Sequence, residues 1–185
     1  MDNVERCLLD MKNNSELMLD LAYSALLYHN RDIAKEVVEL EDTTDQLYET
    51  IQKKALEMCE KGDAKNHALL LIKLADSIER IADSALDIAD VVLRDIDLHP
   101  ALKKSLEESD VVVLKKRVED GSKLCDRSLG VTRLASETGM WVIAVKRKNK
   151  WIYGPTEKTV LKAGDIIFTR GPEDSESILE KWVKS

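Results

Sequence analysis

The sequence predicts an α+β chain of two domains, an N-terminal antiparallel three-helix bundle followed by a small C-terminal α/β domain with a mixed sheet. Three observations carry that expectation. Apolar residues recur every three or four positions through the first half of the chain, the helical period. Composition then changes sharply near residue 108. Beyond that point, short β-rich runs alternate with glycine and proline punctuation.

Length allows one medium domain or two small ones, at 185 residues. Residues 1–108 hold one glycine (Gly62), no tryptophan, and 24 Asp and Glu against 13 Lys and Arg, a net charge of −11. Residues 109–185 hold the other six glycines, all three tryptophans (Trp141, Trp151, Trp182), the single Phe168, and a net charge of +4. The expected division is a helical domain over 1–98, a polar linker over 99–109 with a helical turn around Ala101–Glu107, and an α/β domain over 110–185. The acidic half repels nucleic acid and favours cations, and the basic half is too weakly charged to argue for nucleic acid, so no nucleic-acid partner is expected.

Cys7, Cys59 and Cys125 are odd in number and lack CxxC spacing, which points to reduced thiols packed as small apolar residues. The opening MDNVERCLLD is charged and has no apolar signal region. Runs such as Leu69–Ile72 and Val111–Leu114 are far too short to span a bilayer. A cytoplasmic protein is expected, with room to sit on a membrane protein.

Three helices are expected at about 3–29, 31–61 and 64–95. In the first, Val4, Leu8, Met11, Ser15, Met18, Ala22 and Ala25 keep a loose apolar period. In the second, Ile33, Val37, Leu40, Thr44, Leu47, Ile51, Ala55 and Met58 step mostly by threes and fours, and Ala68, Leu71, Ala75, Ile78, Ala82, Ala85, Ala89 and Val92 do so in the third. Asn30 interrupts the first join, Gly62-Asp63 makes the second, and His99-Pro100 follows the last helix. Helices of this length run roughly 45 Å at 1.5 Å per residue. Joins this short force antiparallel neighbours. So alanine-rich a bundle buries little per residue, and a second copy, a homodimer, is expected to cover what remains.

Glu41 and Asp45 stand four apart on helix two. Glu79 and Asp83 do the same on helix three, within the acidic stripe Asp76, Glu79, Asp83, Asp87 and Asp90. Like charges at this spacing destabilise a helix by a few tenths of a kcal/mol, so the pattern asks for a reason. Folding helix three back about Gly62-Asp63 sets Glu41 against Asp83 and Asp45 against Glu79. Hard oxygen donors in that number suit a divalent cation such as Mg²⁺, Ca²⁺, Mn²⁺ or iron. The plainer alternative is a solvated edge partly neutralised by Arg80, one turn from Asp76. His29, His67 and His99 fall near helix ends and read as surface or capping residues.

The run Leu40-Glu41-Asp42-Thr43-Thr44-Asp45, with Ile78-Glu79-Arg80-Ile81-Ala82-Asp83, resembles the E/D-x-x-x-D motifs of PhoU-family helical domains. Glu16-Leu17-Met18 through Ala22-Tyr23-Ser24-Ala25-Leu26 is similar to that family's first helix. The resemblance implies metal binding by Glu41, Asp45, Glu79 and Asp83 and a role in regulating transport. PhoU proteins usually carry two such repeats and this chain has one, which a homodimer would complete.

In the second half, strands are expected at Val111–Val118, Met140–Arg147, Trp151–Tyr153 and Ile166–Arg170. A helix is expected at Asp126–Thr138, ended by Gly139, and a closing one at about Asp174–Lys184. Lys148-Asn149-Lys150 and Lys162-Ala163-Gly164-Asp165 read as turns, Gly154-Pro155 breaks the chain, and Gly171-Pro172 leads into the closing helix. Trp141-Val142-Ile143-Ala144-Val145-Lys146-Arg147, Gly154-Pro155, Thr159-Val160-Leu161 and Ala163-Gly164-Asp165-Ile166-Ile167-Phe168-Thr169-Arg170-Gly171 together resemble the RCK C-terminal, or TrkA-C, domain of potassium transport regulators. That resemblance implies dimerisation and sensing of a small ligand, nucleotides among them, although no ligand contact is assignable to a residue. No GxGxxG is present.

The combined expectation is a non-catalytic regulatory protein of potassium or divalent-cation transport. It would work with a membrane transporter or channel, sense a small molecule through its second half and bind a divalent metal on its first. The alternatives are a PhoU-type regulator of phosphate uptake and, far behind, a metal-dependent hydrolase. The last suffers from having no nucleophile, base or histidine beside the carboxylates.

Overall fold

The computed structural model describes residues 3–60, 65–98, 111–148 and 150–185. The chain forms two compact units, Met1–Leu98 and His99–Ser185. The expected turns at Gly62-Asp63 and at Asn149, His99-Pro100, and the linker with its helical turn lie outside the described residues.

The first unit is three helices, α1 (Asn3–Tyr28), α2 (Arg31–Glu60) and α3 (Lys65–Leu93), each packed on both others. Asn30 turns the chain between α1 and α2. Its side-chain oxygen accepts from the N–H groups of Asp32 and Ile33, both at 3.1 Å, which satisfies two of the donors left over at the start of α2. At the same end of the bundle His29 meets Asp95 at 2.7 Å, and Arg31 donates to the Val92 carbonyl. The core holds Met11, Met18, Leu21, Leu40 and Ile51 without exposure. One polar link crosses it. Thr44 donates to the Leu40 carbonyl at 2.9 Å and accepts from the Asn14 amide at 3.2 Å, so neither group is buried unsatisfied.

The second unit runs β1 (Val111–Arg117), α4 (Leu129–Thr132), α5 (Leu134–Thr138), β2 (Trp141–Arg147), β3 (Lys150–Tyr153), β4 (Ile166–Pro172), a 3-10 turn (Glu173–Ser175) and α6 (Glu176–Val183). The sheet order is β1-β4-β2-β3. The α+β class stands, but every pairing is antiparallel and the sheet is not mixed. β1 and β2 do run the same way, joined through α4 and α5. β4 lies between them in the opposite sense, so no parallel pair forms.

Two local expectations are corrected. The stretch 126–138 is not one helix, because Arg133 adopts left-handed φ 51°, ψ 33° between α4 and α5. The break lets Gly130 pass close to the chain at Glu157, whose carbonyl accepts its N–H at 2.8 Å. Nor does the last strand end at Arg170 as expected, since β4 runs on through Gly171 to Pro172. A Cβ on Gly171 would sit 2.5 Å from the Gly139 carbonyl oxygen and from Met140 Sδ, so only glycine admits this approach. Gly139, at φ 75°, ends α5 as its sequence position suggests.

A buried ion pair sets the turn before β4. Asp165 is 1 % exposed, and both its oxygens meet Arg147, at 2.8 and 2.7 Å. Oδ2 also accepts the Lys162 N–H at 2.8 Å. Burial pushes this carboxyl up, but the guanidinium and the backbone donor outweigh it and bring Asp165 below its ordinary value.

Candidate functional site

Helix periodicity and the antiparallel return of α3 bring together the four carboxylates singled out in the sequence. Glu41 and Asp45 occupy successive turns of α2, and Glu79 and Asp83 face them from α3. Asp45 lies between Glu41 and Glu79, and any hydrogen bond among these carboxyls needs a proton, because ionised carboxylates only accept. Burial, the bond to Asp45, and the charges of Asp45, Asp83 and Glu41 push Glu79 up to about 8. Glu41 is also raised, by burial first and then by Asp45, Asp42 and Asp83.

The rest of the acidic stripe behaves differently. Asp76 pairs with Arg80 at 2.8 Å and Asp90 with Arg94 at 2.6 Å, each one turn apart on α3. The solvated-edge alternative thus describes these two, while Glu79 lies where no such cation reaches it. Glu79 Oε2 is sealed from solvent and has no hydrogen-bond partner. An orphaned acceptor among carboxylates is the kind of atom a hard cation would satisfy. The donors match a divalent ion in chemistry but not in spacing, since among the described residues no three His, Cys, Asp or Glu are grouped to hold a metal. Of the histidines, His29 pairs with Asp95, His67 is exposed on α3, and His99 lies outside the described residues.

The second unit has a cleft of about 470 Å³ that the sequence did not disclose. Gly130, Arg133, Met140, Trp141, Thr156 and Glu157 are among its walls. Trp141 is 55 % exposed, and Arg133 lines the same cleft. Such a pair suits a flat, anionic ligand, the ring by stacking and the arginine by charge. The cleft forms where the broken helix 129–138, the start of β2 and the turn after Gly154 meet, residues too far apart in sequence to be read as one site. The only sequence signal was a tryptophan at the head of the strand.

Comparison with known proteins gives two family matches, the PhoU domain at residues 8–92 and the TrkA-C domain at residues 117–183. A probable potassium channel protein 2 of Methanocaldococcus jannaschii is 29 % identical over 83 residues, 45 % of this chain and 24 % of that protein. The chain therefore spans about a quarter of that relative. Among solved structures, the RCK_C domain dimer of S. agalactiae BusR in complex with c-di-AMP matches at 24 % identity and a TM-score of 0.38, covering 40 % of this chain and 93 % of that one. BusR of S. agalactiae in complex with its busAB-promotor DNA matches at 18 % identity and a TM-score of 0.38, covering 92 % and 95 %. No helix among the described residues is long and apolar enough to cross a membrane.

Proposed function

On the premise that this chain joins a PhoU domain to a TrkA-C domain, we propose that it is a non-catalytic regulator of potassium transport, acting as a cytoplasmic homodimer on a membrane channel or transporter. The observation that carries the reading is the pairing in one chain of two regulatory domain types, supported by the kinship with a probable potassium channel protein. The TrkA-C domain senses a nucleotide in the cleft beside Arg133 and Trp141. Glu41, Asp45, Glu79 and Asp83 are the PhoU domain's candidate ligands for a divalent cation, which would neutralise their charge once their spacing closed on it. Coupling requires each ligand to prefer one of two arrangements of the dimer.

Thermal-shift titration with c-di-AMP, ATP, ADP and NAD tests the sensor. A ligand at a hundred times its Kd stabilises by about 2.7 kcal/mol. Loss of the shift in Arg133→Ala places it in the cleft, and no shift with any nucleotide refutes the reading. Potassium uptake in cells lacking the protein tests the partner. The PhoU match also favours a second reading, control of phosphate uptake. A change in phosphate uptake with potassium uptake intact would select it. Metal analysis of the wild type against Glu41→Gln/Asp83→Asn tests the ion, and equal metal content in both removes it.

A further inference from the structure

Helix α3 is built inside out. Of its seven buried residues, five are alanine: Ala68, Ala75, Ala82, Ala85 and Ala89. Its larger side chains point outward, with Leu70 53 %, Leu74 44 % and Ile81 42 % exposed. A helix apolar on both sides belongs inside a bundle, with a neighbour on each face. The outer residues are also regularly spaced. Leu70, Leu74, Ser77, Ile81, Ser84 and Ile88 step by four and three in alternation, the repeat of a two-helix seam.

The serines in this seam do not make it wet. Ser77 donates to the Lys73 carbonyl at 2.9 Å and Ser84 to the Arg80 carbonyl at 2.7 Å, so both hydroxyls spend their protons on their own helix. They present small, satisfied surface that a facing helix can approach closely.

We infer that this seam is where a second copy of the chain docks, α3 against α3 and antiparallel about a two-fold axis near Ile81. The homodimer is part of the function proposed above, and the inference assigns its helical contact. The charges beside the seam choose the occupant. Lys73 and Asp87 lie on the same flank, equally far before and after Arg80. An antiparallel copy centred there sets Lys73 against the partner's Asp87 twice over. Arg80, which would meet its own copy at the axis, is already neutralised by Asp76 at 2.8 Å. About this centre Ile81 lies within a turn of the partner's Ile81, and Leu74 within a turn of the partner's Ile88. A helix from an unrelated protein would have no reason to match this internal symmetry of sign.

The test uses the full chain. Light scattering reports the oligomer, and peptide mapping reports which cysteines join under mild oxidation. Ile81→Cys is expected to give an 81–81 disulfide, while Leu69→Cys, 53 % exposed but a quarter turn away, gives none. Lys73→Glu should weaken the dimer roughly tenfold by turning two attractions into repulsions, with Lys73→Glu/Asp87→Lys restoring it. A dimer with no 81–81 disulfide overturns this face and leaves the homodimer standing. A monomer overturns both, and a charge exchange that restores nothing overturns the register.

Discussion

Replacing Glu79 with Gln puts the carboxylate cluster to a quantitative test. In the unfolded chain this residue loses its proton near 4.5, and in the folded protein near 8. Between those values the folded state holds a proton that the unfolded state has released, so stability falls as pH rises through that window and levels off above it. At 1.36 kcal/mol per pH unit the full gap would amount to about 5 kcal/mol. Glu79 is only partly buried, so water screens much of this, leaving on the order of 1–2 kcal/mol. Glu79→Gln removes the charge while its amide still donates to Asp45. Thermal unfolding of the helical signal should therefore show wild type and variant alike near pH 4.5. Above pH 8 the variant should melt several degrees higher, at about 4–8 °C per kcal/mol for a unit of this size. Millimolar Mg²⁺ should raise the wild type above pH 8 and leave the variant little changed. A variant less stable above pH 8, or shifted equally at both pH values, would refute the shared-proton account.

Three further outcomes test the packing. Arg147→Met strands a buried Asp165 carboxylate and should cost on the order of 2–3 kcal/mol in urea unfolding at pH 7. Because Asp165 lies below its ordinary 3.8 in the folded state, that difference should shrink only as pH falls below 3.8. Gly171→Ala forces a methyl against Gly139 and Met140 and should lower stability by roughly 1–3 kcal/mol, read as a lower midpoint of the α/β unit. Thr44→Val removes the hydroxyl that links the Asn14 amide to the Leu40 carbonyl in the helical core, at a cost of about 1 kcal/mol in helical unfolding.

Much of this molecule is legible one helix or strand at a time. The three-four spacing of apolar residues foretold α1, α2 and α3 to within two residues, because a helix is a local repeat. The carboxylate cluster was legible too, for a different reason. A short turn between two long helices converts sequence distance into facing pairs, so Glu41 with Asp83 and Asp45 with Glu79 followed from the numbering.

Where the deciding contact is distant in sequence, the residues alone did not suffice. The last strand was expected to end at Arg170, and only the chain at Gly139, pressed against Gly171, explains the glycine inside it. The stretch 126–138 looked like one helix until Arg133 broke it, the chain at Glu157 lying against Gly130. The sheet's antiparallel character depended on β4 inserting between two strands that precede it, a choice made by tertiary packing. The sequence by itself therefore determined two modules, three helices and a set of facing carboxylates. Only tertiary structure decided the burial of Glu79 beside Asp45, the Arg147–Asp165 lock and the cleft beside Trp141, because each is made by residues that meet through folding and not through spacing.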